Sequence, residues 1–286
     1  MGRLVDDGVG RANGMQEDYD VAQIMGGLYG DGIIGLKGAF SPEWADAMAA
    51  DVWRVWDAVK DRPGGALPRG PNRFYVEVAP EQIRGFVDIA THPWFVAVCE
   101  AVLGPDYRIV EVGFDIPFPG AEDQPWHRDF KSPPETLIGR RLNSLAFNLT
   151  AVDTRLEHGP FEVAPGTQWD DITGAKDDMF PARELWGRYE ARAVQKLPQR
   201  GDISARSALT IHRGTANRSD EPRPVLVVGV DAPDGINANH HDLQVTRGYF
   251  EALPARVRDH LTCRVVDELR MVEQHHVIEG LLQPTY

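Results

Sequence analysis

Hydrophobic residues recur with a helical period in the first third of the chain. Apolar residues at three- and four-residue spacing predict a helix over Ser41–Val59, with Ser41 as its N-cap and Pro42 at the first helical position. Pro80–Leu103 predicts one or two further helices, with a restart inside it. We therefore expect a block of helices over about residues 41–104.

A strand-like pattern follows the helical block. Tyr107–Phe118, Leu142–Val152 and Val225–Val230 alternate or run apolar as β-strands do, and Gly and Pro residues separate them. Within Leu142–Val152, hydrophobic residues fall on one face and small or polar residues, among them Asn148, fall on the other. Short strands divided by turns predict a mainly β fold, with a barrel over about residues 107–231 and flanking helices.

The two ends of the chain differ from this centre. Residues 1–20 are rich in Gly and Asp and predict a disordered leader. Val245–Leu261 predicts a helix broken at Pro254, so a C-terminal helix and tail occupy residues 245–286. We expect residues 21–286 to form a single domain.

Two polar segments contain residues of the types found in binding or metal sites, although we assign neither segment to a metal site. Trp169–Arg192 is an acidic and aromatic insertion, for which we expect a partly helical surface excursion or lid. His240 and His241 stand beside Asp242 in a polar loop. Because consecutive histidines in a loop rarely bind one ion, the pattern favours surface positions for both.

Composition limits the classes of partner. The chain has 286 residues, 42% of them hydrophobic, which is enough for one large core. Its net charge of −13 disfavours nucleic acid and anionic membranes as partners, since both need a basic face. An anionic small molecule remains compatible with this charge, because it needs only a local Arg or Lys pocket.

Cysteine usage and hydropathy bear on the compartment. Cys99 lies in an apolar run and is typical of a buried small residue, and Cys263 is the only other cysteine. Two such cysteines do not make a disulfide framework and favour a reducing compartment. The sequence shows no apolar stretch of membrane-spanning length and no secretory signal, so we expect a cytoplasmic protein. Its oligomeric state stays open.

The first chemical signal is the pair His127 and Asp129. The two residues are separated by one position, and on a β-strand side chains at i and i+2 leave the same face. An imidazole and a carboxylate then converge on one point. They make up two members of the facial triad that binds non-haem Fe(II) and leaves open coordination positions. Alone, the pair is equally typical of an ion pair at the surface.

A third ligand candidate, His212, ends an apolar run later in the chain. Arg223 follows it by eleven residues, across a turn-rich segment and just before Val225–Val230. If both flanking runs are strands of one sheet, His212 and Arg223 point into the same cavity. An Arg there suits bidentate capture of a carboxylate, which fits the far end of 2-oxoglutarate.

The whole set resembles the phytanoyl-CoA dioxygenase family of Fe(II)/2-oxoglutarate oxygenases. The resemblance rests on His127-x-Asp129, His212 and Arg223, and on Glu157–Thr167, which is similar to the family's Asn-Gly-Pro…Pro-Gly-Ser-His stretch. Two departures stand in that stretch, where His158 replaces Asn and Thr167-Gln168 replaces Ser-His. The similarity extends from about residue 28 to about residue 261.

The resemblance implies a double-stranded β-helix with Fe(II) held by the two histidines and Asp129. It implies 2-oxoglutarate and O2 as co-substrates, with the far carboxylate of the keto acid on Arg223. Two residues outside the resemblance are further candidates for contact with the co-substrate: Asn148, on the polar face of its strand, and Trp126, which flanks the ligand pair. A purely structural hydrogen bond for Asn148 and a barrel-filling role for Trp126 stay open. The outcome that the resemblance implies is hydroxylation of a small molecule with release of succinate and CO2. We add three substrate contacts as weaker candidates: Lys131, Arg140 and Arg73.

Three alternatives stay open on the sequence. The same oxidant serves desaturation, epimerisation and cyclisation in natural-product biosynthesis. A jelly-roll barrel without catalysis serves as a binding module. A cupin-like hydrolase or isomerase with Zn or Mn uses a similar ligand set, although such a site has no need for Arg223 as an anchor of a keto acid.

Overall fold

A computed structural model describes residues 19–129, 134–172, 179–272 and 278–282. The α-helices are α1 (Val21–Gly30), α2 (Pro42–Val59), α3 (Phe86–Thr91), α4 (Pro93–Leu103), α5 (Pro134–Gly139), α6 (Trp186–Glu190), α7 (Arg247–Ala252) and α8 (Ala255–Arg258). The strands are β1 (Ile33–Leu36), β2 (Leu67–Pro68), β3 (Arg73–Glu77), β4 (Arg108–Pro117), β5 (Ser144–Thr150), β6 (Phe161–Val163), β7 (Val194–Lys196), β8 (Ile203–Ser207), β9 (His212–Gly214), β10 (Val225–Asp231), β11 (Gln244–Thr246) and β12 (Arg264–Val266). Short 3-10 helices lie at Pro80–Gln82, Leu156–His158, Thr167–Trp169, Arg183–Leu185, Asn237–His240 and Glu279–Leu282.

The large sheet has the strand order β1-β8-β5-β10-β4-β3-β2 and is antiparallel at each pairing. Neighbouring strands in this order are often far apart in sequence, as expected for a jelly roll, in which long connections cross between two sheets. The strands β1, β2 and β3 join this sheet, although the sequence pattern placed the barrel after residue 107. These early strands extend the barrel wall beyond the predicted range.

The large sheet has one apolar face and one polar face. The apolar face packs on the helices, and α2, α3 and α4 supply much of the opposing surface. Since side chains alternate along a strand, the neighbouring positions point to the inside of the barrel. Polar inward positions occur on β3, β4, β5 and β8: Arg73, Tyr75, Glu77, Glu111, Asp115, Ser144, Asn148, Thr150, Ser204 and Arg206.

The two faces of β5 predict opposite responses to truncation. Phe147 is fully buried, with its ring 4.3 Å from that of Phe95 between centroids. We expect Phe147→Ala to lower the free energy of unfolding by about 3–5 kcal/mol. Asn148, on the inner face, makes no side-chain hydrogen bond within the described residues, so Asn148→Ala should cost less than about 1 kcal/mol. Urea unfolding measures both, and equal losses would contradict this arrangement of the strand.

A smaller sheet faces the large one across the barrel. It has the order β7-β6-β9, and the segment Gln124–Asp129 runs along the free side of β9. His127 and His212 form an antiparallel bridge in which each backbone N–H donates to the other's carbonyl, at 2.9 and 2.8 Å. The pairing holds residues far apart in sequence side by side.

The helices predicted between residues 41 and 104 form, and the predicted cap of the first one is observed. Ser41 accepts a hydrogen bond from the backbone N–H of Trp44 at 3.2 Å, and Pro42 is the first residue of α2. His92 caps α4 by accepting from Trp94 N–H at 3.2 Å. Of the helix predicted over Val245–Leu261, residues 247–258 form α7 and α8 with a break that contains Pro254, whereas Val245 is in strand β11.

Helix α1, near the N-terminal end of the described residues, was not predicted from the sequence. Asp20 caps α1 by accepting from the N–H groups of Ala22 and Gln23. Most of the predicted leader, residues 1–18, lies outside the described residues. Cys99 and Cys263 are both free thiols. None of the helices in the described ranges combines the length and hydrophobicity that crossing a bilayer requires.

Candidate metal centre

The backbone brings the two predicted histidines together before their side chains contribute anything. Their mutual bridge places both imidazoles on one side of the small sheet, with ring centroids 4.4 Å apart. Asp129 follows on the same segment, and its backbone N–H donates to the carbonyl of Ala208 at 3.0 Å. Cross-strand pairing thus converts a sequence separation of more than eighty residues into side-by-side positions.

Hydrogen bonds fix which nitrogen of each ring is free. Nδ1 of His127 lies 2.8 Å from the carbonyl of Pro125, and Nδ1 of His212 lies 2.9 Å from that of Thr210. Because a carbonyl only accepts, each Nδ1 carries the proton and each Nε2 keeps a lone pair. Metal-ligating histidines are typically oriented in this way by a carbonyl behind the ring.

Electrostatics keep the three groups in the form that binds a cation. Burial lowers the pKa of His127 well below its ordinary value, and the neighbouring His212 lowers it further. Burial also lowers the pKa of His212, followed by the charge of Arg206. For Asp129, burial opposes ionisation, but Arg206 and His212 outweigh it and hold the pKa well below its usual range. Two neutral imidazoles and one carboxylate result at neutral pH.

The donor atoms of His127, Asp129 and His212 fit a single metal ion. All three lie within 4.8 Å of one another. Nε2 of His212 is 3.3 Å from Oδ1 of Asp129. Two atoms that each bind a six-coordinate ion at about 2.1 Å, at right angles, are about 3 Å apart. The donor set and its spacing suit Fe(II) with open positions.

Arg223 is buried beside a second guanidinium. Its side chain is 3% exposed, and Nε donates to the carbonyls of His158 and Gly159 at 3.3 and 3.1 Å. Nη2 is buried and has no hydrogen-bond partner among the described residues. Burial lowers the pKa of Arg223 to about 10, and the charge of Arg73 contributes. Arg223 remains a cation at neutral pH and has a donor available for an anion.

Arg73 is placed in the barrel and not at its rim. It forms a two-point ion pair with Asp115, at 2.9 and 2.5 Å. Its guanidinium crosses the cavity and occupies the space that a side chain at position 214 would need, so only Gly214 fits there. With its charge neutralised by Asp115, Arg73 lines the cavity next to Arg223. Its predicted contact with substrate stays a prediction.

The two departures from the family stretch have structural roles. His158 Nδ1 accepts from Arg155 N–H at 3.2 Å, and its carbonyl helps to hold Arg223. Thr167 Oγ1 accepts from Ile211 N–H at 2.9 Å, directly before His212. Gln168 donates to the backbone of α1, with its closest contact at 3.0 Å to Tyr29. These residues brace the site from outside.

The other predicted site residues lie in different parts of the structure. Asn148 lies on the inner face of β5, opposite Ser204 in the register. Trp126 packs on the opposite side of its segment from His127, among Tyr189 and Ile211, so the structure does not bring it to the triad. Arg140 is exposed at the end of α5.

Lys131, the remaining candidate, lies outside the described residues.

Two inward residues carry charge near the triad and were not predicted as part of it. Arg206 on β8 pairs with Asp129 at 2.8 Å between Nη1 and Oδ2. The guanidinium carbon of Arg69 lies 5.2 Å from the ring centroid of Tyr75, and its buried Nη1 has no partner in the part of the chain that the structure describes. Neither residue belongs to a sequence motif with the histidines, and only the inward alternation of β8 hints at Arg206.

The expectation that His241 is a surface residue is wrong. Its side chain is 8% exposed, with Nδ1 3.3 Å from Glu77 Oε2 and Nε2 3.4 Å from Glu111 Oε2. The loop folds back over the barrel, and Asp242 N–H also donates to Glu77 at 2.9 Å. Burial lowers the pKa of His241, but Glu111 and Glu77 outweigh it and raise the pKa above its ordinary value.

This ion cluster predicts a specific pH dependence. Because the folded pKa of His241 is raised, its stabilisation is fully present below the unfolded pKa of about 6.5 and is lost as pH rises through the folded value. Hydrogen bonds to charged groups contribute about 1.5–3 kcal/mol. We expect His241→Gln to destabilise the protein by about this amount at low pH and by less at alkaline pH. Urea unfolding of both proteins across pH checks it, and a pH-independent difference would contradict it.

The fold and the site together define a class. A jelly-roll core that presents two histidines and one carboxylate around open positions is the arrangement of non-haem iron oxygenases. The family model described as phytanoyl-CoA dioxygenase matches residues 28–225. The chain therefore belongs to the phytanoyl-CoA dioxygenase family, which uses Fe(II), 2-oxoglutarate and O2. The predicted family, enzyme class and cofactors are confirmed.

Solved structures agree on the fold. A non-haem α-ketoglutarate-dependent carbocyclase, SnoK from nogalamycin biosynthesis, is 19% identical, with a TM-score of 0.60 over 78% of this chain and 88% of that one. The epimerase SnoN, solved with Fe3+, α-ketoglutarate and nogalamycin RO, is 21% identical, with a TM-score of 0.60 over 77% and 89%. AviO1 from Streptomyces viridochromogenes Tue57 is 17% identical, with a TM-score of 0.57 over 77% and 98%. The predicted fold class is confirmed.

Proposed function

We propose that His127, Asp129 and His212 hold Fe(II) in this enzyme and that Arg223 binds the far carboxylate of 2-oxoglutarate. One observation carries the proposal: one ring nitrogen of each histidine and a carboxylate oxygen of Asp129 lie within 4.8 Å of one another. Each Nδ1 is at the same time committed to a backbone carbonyl. When bound, Fe(II) with 2-oxoglutarate and O2 supplies an oxidant for a substrate C–H bond, and succinate and CO2 are released.

The protein's own residues orient the co-substrate and keep it dry. Arg223 offers Nη2, which is buried and has no hydrogen-bond partner within the described ranges. Asp115 neutralises Arg73, whereas no ion pair neutralises Arg223 among the described residues, so the charge of Arg223 is available for a carboxylate. Asn148 supplies an amide on the inner face. Buried, preorganised donors of this type orient a ligand without needing to be desolvated when it binds.

The substrate is a small polar molecule. Most of the residues that point into the barrel from the large sheet are polar or charged. The residues on the opposite face of the same strands are apolar. Arg69 has a buried Nη1 without a hydrogen-bond partner among the described residues. Burial lowers the pKa of Arg69, although nearby groups, Asp129 among them, oppose that shift. A substrate with a carboxylate or several hydroxyl groups would satisfy such a lining.

Hydroxylation is the reaction we propose as the default. Desaturation, epimerisation and cyclisation remain the alternatives, and SnoK and SnoN are named as a carbocyclase and an epimerase on the same fold. A Zn or Mn hydrolase leaves the free donor of buried Arg223 unexplained. A binding module without catalysis leaves the convergence of three metal-binding atoms unexplained.

The test is a pair of measurements on the wild-type protein. Anaerobic Fe(II) plus 2-oxoglutarate should give the weak visible charge-transfer band of the chelate. In air, the loaded protein should form succinate, slowly alone and faster with a substrate from a panel of polar metabolites. If metal binds but neither the band nor succinate appears, the oxygenase function is refuted for this chain.

A further inference from the structure

Arg206 sits directly against the proposed metal ligand Asp129. It lies on the inner face of β8, where its register neighbours are Ile33 and Ala146. Ala146 is small and leaves room for the guanidinium. Nη1 of Arg206 donates to Oδ2 of Asp129 at 2.8 Å and to the carbonyl of Ser207 at 3.2 Å. The side chain is 6% exposed.

The guanidinium is held from more than one side. Its central carbon lies 5.4 Å from the ring centroid of Phe161, which is itself 5.0 Å from the ring of His212. The contact with Phe161 is a cation–π interaction, and the Ser207 carbonyl fixes the end of the side chain. Arg206 therefore reaches Asp129 in a defined orientation.

The two oxygens of Asp129 have different surroundings. Oδ1 faces Nε2 of His212 at 3.3 Å, on the side where the three ligand atoms converge. Oδ2 faces Nη1 of Arg206. A carboxylate binds a metal through one oxygen or through both, and a hydrogen bond that occupies one of them favours the first mode.

We propose that Arg206 is a positioning residue that keeps Asp129 a one-oxygen ligand and so preserves an open coordination position for the co-substrate. This inference rests on the proposed function, because it concerns the same Fe(II) and 2-oxoglutarate. The charge of Arg206 repels a metal cation, so its contribution is the orientation of Asp129 and not an attraction of the ion. Three open positions suffice for a chelating keto acid and O2, whereas a two-oxygen aspartate leaves one too few.

The test separates orientation from general destabilisation. Mn(II) alone is bound to wild type and to Arg206→Met, and its affinity and its water-proton relaxation are measured. We expect the variant to bind Mn(II) as tightly as wild type or more tightly, but with one fewer metal-bound water and a lower relaxation effect. Binding of 2-oxoglutarate to the anaerobic Fe(II) protein, followed by the charge-transfer band, should weaken about 10–100-fold, the usual cost of losing an outer-shell partner.

Two further variants control the result. Arg206→Lys keeps a cationic donor and should recover part of the 2-oxoglutarate affinity. Arg213→Met removes another partly buried guanidinium, one that pairs with Glu162 at 2.7 Å and does not touch Asp129. It should change stability but neither the relaxation nor the band.

The outcomes distinguish the possibilities. Unchanged relaxation and unchanged 2-oxoglutarate affinity in Arg206→Met would overturn the positioning role. Loss of Mn(II) affinity in step with loss of stability would also overturn it and assign Arg206 a structural role. If wild type binds Mn(II) but never binds 2-oxoglutarate, the proposed function fails instead, independently of Arg206.

Discussion

His212→Ala is expected to remove both the charge-transfer band and succinate formation. The substitution deletes one of three donors that converge within 4.8 Å and leaves a two-ligand site. Loss of an outer-shell partner typically costs 10–100-fold in metal affinity or activity, so loss of a ligand itself should cost more than about 100-fold. Isothermal titration with Mn(II) and a succinate assay measure the two losses separately.

A matched histidine variant tests the specificity of that loss. His260 is a structural histidine, with Nδ1 2.7 Å from the carbonyl of Tyr107 and its ring stacked 3.8 Å from that residue. His260→Ala should lower stability and leave Mn(II) affinity unchanged. Retention of Mn(II) affinity and of the band in His212→Ala would show that the metal is held elsewhere.

Arg223→Met should abolish the band at ordinary 2-oxoglutarate concentrations while Mn(II) affinity is retained. The substitution removes the buried cation with a free Nη2 and leaves the triad intact. A charge-assisted hydrogen bond contributes about 1.5–3 kcal/mol, so a two-point contact predicts a loss of about 100-fold or more in affinity. Titration of the anaerobic Fe(II) protein with 2-oxoglutarate measures the shift in dissociation constant.

Arg223→Lys provides the graded control. A lysine at position 223 keeps the positive charge of the arginine. It lacks the planar pair of N–H donors of a guanidinium. We expect an affinity between those of wild type and Arg223→Met. Parallel loss of Mn(II) affinity in both variants would indicate collapse of the pocket, and unchanged 2-oxoglutarate affinity would show that another group is the anchor.

The local elements were predictable because their causes are local. Ser41 and Pro42 start α2 through a hydrogen bond and a fixed backbone angle, both of which depend only on neighbours in the sequence. The alternation along β5 likewise assigned Phe147 to the core and Asn148 to the cavity, and the structure agrees. Such signals span a few residues and do not depend on where the chain goes next.

The errors and omissions have a common physical origin in long-range packing. The sequence pattern predicts an exposed position for His241. The loop instead closes over the barrel and places the side chain between Glu77 and Glu111. Trp126 stands next to His127 in sequence, but alternation along the segment turns it away into the cluster with Tyr189. No local pattern carries the direction in which a loop folds or the identity of what covers it.

The sequence by itself determined the chemistry that this protein is able to perform. A His-x-Asp pair, a later histidine and an Arg eleven residues beyond it specify the donor types of the proposed metal site and of its proposed anion anchor, because ligand chemistry is a property of side chains. Only the tertiary structure decided how those side chains are used. The bridge between His127 and His212 sets their separation, and the strand register of β8 aims Arg206 at one oxygen of Asp129, because sheet pairing joins residues with no sequence relation.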